Sequence, residues 1–498
     1  MTFSFNLIDQ PWIPCVKHDG TLEEVSLRDL LVNAHNLLAI SCETSLMTAS
    51  VMPVALAVLH CVFGPANRNA WKMLWQGGFF PPEQLDAYFT KWYERFDLFH
   101  PERPFYQVPD ERVQPKSIIH LIHSIGNTGT LFTHANDDDG LSLSAAEAAR
   151  HLITAQTFRT AGLSGLEEKF TDSPLTRGVL FWGNDETVFK TLLLNLLPYP
   201  SSLVPIPYTS MDMPAWEQID PYQPREHPKG YLDYLTWPSN RIRLIPAVRN
   251  GQIMVETMTI APGLTLSADV SSPHKRYVRN SDSEDWRFLR FDTDKALWRD
   301  YHSLLALDDA NVKPPAVVDW LARLVEYGFI EEQYPLQLTA TGMLADQAKP
   351  VFYRQERIPL PSGLLRDSIS LLQISQAITD AEAIAQALRY ATNTLAKYVL
   401  MRGGESVPDK TDRQNLIRQW GTVSHYWAHL ELPFWNFVSA FSYDHTDALA
   451  AWREILIQNA KDSLAEAERS GGSNAAALQG QVMAERELHA RIKKLFTQ

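Results

Sequence analysis

The sequence predicts an α+β chain: a large mixed α/β N-terminal domain over residues 1–361, followed by a four-helix bundle over residues 362–498. Three observations predict it. At 498 residues there is material for more than one core. Up to about residue 361, alternating β-prone runs are interspersed with short apolar helical stretches, so neither period dominates. Beyond residue 362 come four successive helical stretches. Their short connections contain Gly403-Gly404 and Gly471-Gly472, and an up-down bundle packs such helices most economically.

The elements follow in order. A β-prone start precedes a turn at Asp19-Gly20, and Ser26 caps a short helix carrying Leu27, Leu30 and Leu31. The apolar stretch over residues 49–64 is expected to be a buried helix, too short and interrupted to span a bilayer. Leu85, Tyr88, Phe89, Trp92 and Phe96 fall at helical spacing and form a core stripe. Residues 127–139, "NTGTLFTHANDDD", are polar and turn-rich around one conspicuous Phe132, as in a long exposed loop. The helix "SAAEAARHLITAQTF" runs into "RTAGLSGLEEKF", where two glycines break the period. Asp185 is expected to open another helix. The proline-rich residues 198–228 cannot be regular throughout. Residues 231–291 read as mostly β, with a hairpin turning at Asn250-Gly251. "YPLQLTAT" and "VFYRQERIPL" alternate on either side of "GMLADQAKP", giving a second hairpin tipped by Gln347 between Asp346 and Ala348. Gln has no special turn conformation to offer, so a flat amide there asks for a functional reason. In the bundle, residues 412–441 read as one helix kinked at Pro433.

Composition excludes several classes. The start "MTFSFNLIDQPWIPC" lacks a basic region followed by an apolar core, so no secretory signal is expected. Cys15, Cys42 and Cys61 are sparse and lack CxxC spacing, which points to reduced thiols in a cytoplasmic protein. A net charge of -13 argues against broad nonspecific DNA binding, which runs on phosphate neutralisation. Local contacts remain open to a subunit whose neighbours supply the basic channel.

Motifs for catalysis are few. His425 and His429 have helical zinc-pair spacing beside Glu431. The central Glu of a metalloprotease is missing, and surface or core histidines are the plainer reading. His120 and His123 lack a carboxylate partner in sequence. The run Asp137-Asp138-Asp139 lacks the spaced oxygens of a calcium loop. No metal or cofactor site is called. Gly162-Leu163-Ser164-Gly165 is either a helix terminator or a place where backbone approaches a partner closely. Basic residues gather at His274, Lys275, Arg276 and Arg279, at Arg287 and Arg290, and around the second hairpin at Lys349, Arg354 and Arg357. Taken singly, each group reads as a solvated face.

"FNLIDQPWIP" (5–14), "RPFYQV" (103–108), "ALWRD" (296–300), the Asp-Gln-Ala hairpin and the terminal helices occur in the order found in the CasA family. CasA is the large subunit of Cascade, the type I-E CRISPR surveillance complex. The resemblance runs nearly end to end and is loosest in the middle. It implies a non-enzymatic subunit of an RNA-guided complex that recognises the protospacer-adjacent motif in double-stranded DNA through the minor groove. Such a subunit helps initiate unwinding and R-loop formation, and helps recruit the helicase-nuclease. The implied partners are target DNA, the 5′ end of the guide RNA, other Cascade subunits and the helicase-nuclease, with no membrane. Protein reads the short motif and RNA reads the rest, as in single-protein effectors.

Carried over by position, the minor-groove hairpin and wedge fall on Asp346, Gln347 and Ala348, with Lys349 following. The glycine loop falls on Gly162, Leu163, Ser164 and Gly165. The aromatic that contacts the guide end or a neighbouring subunit falls on Phe132. Two positions depart from the family. Asp346 stands where Asn is familiar; a carboxylate accepts but cannot donate, which suits the guanine amino group, the minor groove's one donor. "APGLTLSADVSSP" has no basic residue to match the family's lysine finger; the resemblance gives that role no clear match here, and Lys275 or Arg276 is the substitute it suggests.

Two other readings make different demands. A metal-dependent hydrolase built on the bundle histidines would hold stoichiometric zinc and lose it on His429→Ala. A pure scaffold would keep its DNA binding on Gln347→Ala.

Overall fold

The computed structural model describes residues 3–122, 140–279, 285–305, 309–331, 333–346, 349–365, 367–401, 406–441 and 448–496. His123, Phe132, Asp137-Asp138-Asp139, Gln347 and Ala348 lie outside them. The chain divides into two compact units. One comprises Met1–Asp292 and Leu307–Leu360; the other comprises Thr293–Ala306 and Pro361–Gln498. The segment carrying "ALWRD", expected in the N-terminal domain, is thus part of the second unit.

The first unit opens with a small antiparallel sheet. Its central strand β1 (Ile13–Lys17) is flanked by β2 (Leu22–Val25) and β3 (Leu37–Ile40). Ser26 caps the following short helix by accepting from the Asp29 N–H, as expected. Helix α1 (Ser45–Val62) is long and apolar enough to cross a bilayer, contrary to the expectation for residues 49–64. It is nevertheless 78% buried inside the protein, against α2 (Ala145–Phe158) among others. A capping box closes the start of α2, with Ser144 and Glu147 each satisfying the other's backbone N–H. Strand β4 (Gly178–Asn184) follows, then α3 (Val188–Asn195). The cap of α3 is Thr187, whose hydroxyl accepts from Lys190 N; it is not Asp185. Asn250 and Gly251 both take positive φ between β5 (Asn240–Arg249) and β6 (Gln252–Pro262), the geometry of a tight hairpin. The rest of residues 231–291 is less β-rich than expected. Tyr231–Leu235 is helical, and among the described residues between β6 and residue 291 only two-residue strands occur.

Helix α4 (Ala316–Glu326) leads to the second hairpin, β7 (Gln337–Asp346) and β8 (Lys349–Pro359). β7 lies between β8 and β4, all antiparallel. α1, α3 and α4 pack against this sheet, so Ala340, Thr341 and Met343 of β7 are buried in succession. β8 is an edge strand whose Val351, Tyr353, Gln355 and Arg357 alternate outward. Where β7 crosses β4, a Cβ on Gly342 would sit 2.5 Å from the Gly178 carbonyl oxygen. Glycine there lets the two backbones meet.

The second unit is helical: α5 (Ser368–Met401), α6 (Lys410–Trp420), α7 (Thr422–Ala428), α8 (Glu431–Phe441), α9 (Ala448–Gly471) and α10 (Ala475–Phe496). α5 packs against both α9 and α10. The single kinked helix expected over residues 412–441 is instead three helices. Gly421, at φ +61°, ends the first, and Pro433 sits in the opening turn of the third, where its missing N–H costs nothing. Trp298 and Tyr301 bring Thr293–Ala306 into this core. Trp298 stacks 4.6 Å from Phe434, and Tyr301 meets Trp435 edge-on at 5.2 Å.

Candidate nucleic-acid interface

The outer end of the β4–β7–β8 sheet carries the hairpin singled out by sequence. Pairing runs out to Asp346 opposite Lys349, after a bulge between Leu344 and Ala345. Bulges re-aim a strand end and are common beside functional sites. Just inside that end, Arg177 Nη1 donates to the Ala345 carbonyl at 3.0 Å. The same guanidinium donates from Nε to Asp172 Oδ2 at 2.8 Å. The other oxygen of Asp172 accepts from the Ala161 N–H at 2.8 Å. Ala161 immediately precedes the glycine segment. Four groups therefore form one relay from the glycine segment to the hairpin: Ala161 N–H, the Asp172 carboxylate, the Arg177 guanidinium and the Ala345 carbonyl.

The glycine segment is not a simple helix end. Gly162 and Phe170 exchange two backbone hydrogen bonds, 3.1 and 3.0 Å, which close the chain between them into a loop. Ser164 is turned inward: its hydroxyl donates to the Glu168 carbonyl and accepts from Leu166 N at 2.9 Å. Gly165 takes φ +82° to complete the turn. Leu163 is left 80% exposed at the loop's outer end. Beneath the loop, the Arg159 guanidinium lies 4.4 Å over the Phe170 ring and donates to the His120 carbonyl. Burial pushes it down to about 10. Thus the structure brings two of the sequence-flagged segments together. Sequence reasoning missed Asp172 and Arg177, and no spacing rule links Arg177 to a carbonyl 168 residues away.

Lys275 and Arg276 are placed differently from the expectation. Both are buried, 7% and 8% exposed, within a segment that lies along β4. Phe181 N donates to the His274 carbonyl at 2.8 Å, and Lys275 Nζ donates to the Pro174 carbonyl at 3.0 Å. The ammonium lies 5.1 Å over the Phe288 ring, and burial pushes it down to about 8. In this conformation the pair supports the sheet and does not project as a finger. Arg287 and Arg290 are exposed nearby. Trp286 carries two cations: Lys313 lies 4.0 Å and Arg279 5.0 Å from its ring centre. Arg354 is committed to Glu356 at 2.7 Å and to the Phe291 face at 4.8 Å.

The histidine pair of the second unit does not assemble a metal site. The His425 and His429 rings stack 4.1 Å apart. His425 Nδ1 bonds with Ser463 Oγ at 3.0 Å, and His429 Nδ1 bonds with the His425 carbonyl at 2.8 Å, so each ring has one nitrogen spent on the protein. Among the described residues no group of three His, Cys, Asp or Glu side chains could hold a metal ion.

A two-unit chain with a paired hairpin and a glycine loop at one sheet end is the class of protein defined so far. Comparison with known proteins places it further. Residues 6–463 match the CRISPR-associated protein Cse1 family, and the chain belongs to that family. It is 29% identical over 505 aligned positions to the CRISPR-associated protein CasA/Cse1 of Thermus thermophilus, covering 97% of this chain and 96% of that one. The crystal structure of Thermus thermophilus CasA superposes with a TM-score of 0.82 at 28% identity, covering 99% of this chain and all of the other. A chain from a structure described as a CRISPR RNA-guided surveillance complex shares the fold, with a TM-score of 0.76 at 23% identity over 98% of this chain and 99% of that one.

Proposed function

We propose that this protein is the large, non-enzymatic subunit of an RNA-guided type I-E CRISPR interference complex. In this reading it recognises the protospacer-adjacent motif in duplex DNA through the minor groove, starts strand separation and helps recruit the helicase-nuclease. The observation that carries this reading is the relay from Ala161 through Asp172 and Arg177 to Ala345, which holds the glycine segment and the hairpin end at one fixed separation. Two elements that read one groove need such a spacing. Family membership supports the setting among other subunits and guide RNA. Phe132 is the residue we assign to the guide end or a neighbouring subunit. Three free cysteines suit a cytoplasmic location.

The chemistry is positional. Gln347 at the tip enters a base step from the minor groove, and its planar amide stacks beside a base pair without the repulsion a carboxylate would bring. Unstacking costs about a few kcal/mol and is offset by contacts the kinked duplex permits. Small Ala348 and the glycines let backbone reach the groove. Contacts worth about 1–3 kcal/mol per base pair discriminate a short motif, and pairing with the guide supplies the rest. The test is Gln347→Ala in the assembled complex. R-loop formation on a duplex target falls, while binding to a target pre-opened beside the motif is spared. Equal loss on both targets removes the wedge role, and no loss on either favours a scaffold.

A further inference from the structure

Away from the sheet end, a cleft in the first unit collects cationic groups that motif reading does not use. It encloses about 160 Å³ and is lined by Arg95, Arg103, Tyr106, Trp216, Ile219 and Tyr222, among others. Arg95 is pinned by its Nε to the Trp216 carbonyl at 2.7 Å and by its Nη2 to the Gln218 carbonyl at 3.2 Å, which leaves Nη1 uncommitted. Partial burial and the charge of Arg103 both push its guanidinium down from the usual range. Arg103 is exposed, and its guanidinium has no acceptor or ion-pair partner among the described residues. Glu102 and Asp220 also line the cleft, and neither comes within ion-pair distance of either arginine. Two like charges are thus held at one cleft, and among the described residues no carboxylate pairs with either of them.

We propose that this cleft is a socket for a single carboxylate carried by a neighbouring protein subunit, with Ile219 meeting an apolar side chain beside it. A planar carboxylate matches the forked donors of guanidinium, and an arginine already fixed by backbone carbonyls loses little freedom on binding. The size of the cleft suits one side chain. Ile219 is 89% exposed, an apolar contact that a protein partner buries and a phosphate backbone does not. Glu102 and Asp220 at the lining tolerate one incoming charge and oppose a polyanion. The proposal rests on the reading of this chain as one subunit of a larger complex.

The test uses the full chain and the remaining complex, that is, the other subunits with guide RNA. Arg103→Glu weakens the chain's Kd for that assembly ten-fold or more, and Ile219→Asp weakens it less, with the melting temperature of the free chain unchanged for both. Arg103→Lys, treated with carbodiimide in the assembled complex, gives a new amide adduct absent from the wild type. Mass spectrometry maps it to an Asp, Glu or C-terminal carboxylate of another subunit. An unchanged Kd for Arg103→Glu overturns the proposal, and so does the absence of that adduct. A photocrosslink from the cleft to thiouridine-substituted guide RNA overturns it by assigning the arginines to phosphate. Motif-duplex binding at saturating chain is read in parallel. It stays at the wild-type level, so failure of the socket is distinguishable from failure of motif reading.

Discussion

Replacing Arg177 by alanine tests the idea that the glycine segment and the hairpin act as one reader. The guanidinium makes a charge-assisted bond to Asp172 at 2.8 Å and another to the Ala345 carbonyl at 3.0 Å, and its side chain is 23% exposed. Hydrogen bonds involving a charged group contribute about 1.5–3 kcal/mol, and this one, partly solvated, belongs at the lower end. If DNA must restore the spacing that the relay now fixes, the loss appears in affinity. About 1.5 kcal/mol corresponds to roughly ten-fold weaker binding. The assay is fluorescence anisotropy of a labelled motif duplex with the assembled complex over a range of salt. A positioning role leaves the slope of log K against log salt unchanged, whereas a direct phosphate contact would lower it by about one. Arg177→Lys keeps the charge but lacks the rigid fork that bonds Asp172 and Ala345 together, so it recovers little. Wild-type affinity for Arg177→Ala refutes the reasoning, as does full rescue by Arg177→Lys.

Further predictions concern the packing within each unit, taken by itself. Trp298→Ala removes a fully buried ring that stacks on Phe434 and faces Trp452, so it destabilises the helical unit by about 3–5 kcal/mol. Urea unfolding followed by proteolysis of the bundle helices checks it, and an unaffected bundle would return Thr293–Ala306 to the first unit. His60 and His274 are buried and His151 is half-buried, and burial pushes them down to about 3, 3 and 4 respectively. Their unfolded forms take up protons near pH 6.5, so stability is full above that and falls as pH drops toward 3–4, by up to about 1.4 kcal/mol per pH unit for each. Neither His60 ring nitrogen has a partner among the described residues, so His60→Phe is tolerated at pH 7.5. It also makes the acid side of the stability profile shallower by up to one proton. Urea melts at pH 7.5 and 5.0 measure both effects, and an unchanged slope contradicts the burial of His60.

Local signals were legible in the sequence, and long-range ones were not. The hairpin at residues 337–359 shows itself by alternation, the turn at Asn250-Gly251 by its residue types, and the start of the first helix by Ser26. Each is a property of fewer than about ten neighbouring residues. Gly421 outweighed Pro433 as the helix breaker because proline is harmful only beyond the first turn, and sequence alone did not fix where that turn began. "ALWRD" sits among β-rich neighbours, and only the Phe434, Trp435 and Trp452 rings far along the chain reveal that its aromatics belong to a helical core. The consecutive charges of Lys275-Arg276 resemble a solvated face. A bridge to β4 and a neighbouring carbonyl bury them instead.

The same misreading bears on the charge of the chain. A net charge of -13 is hard to reconcile with a DNA-facing surface if the basic residues are counted as phosphate contacts. Near this sheet end many of them hold protein to protein. Arg177 braces a hairpin, Arg159 supports a loop, Lys275 backs a strand, and Arg354 is paired with Glu356. Cations used in this way fix geometry and release no counterions. If this sheet end reads a groove as proposed, its selectivity rests on the spacing of backbone and small side chains there. It leaves the bulk of the electrostatic affinity to whatever surrounds it in a complex. On the proposed reading, an acidic residue at position 346 is tolerable beside DNA, because such a hairpin would depend on shape and position more than on local charge.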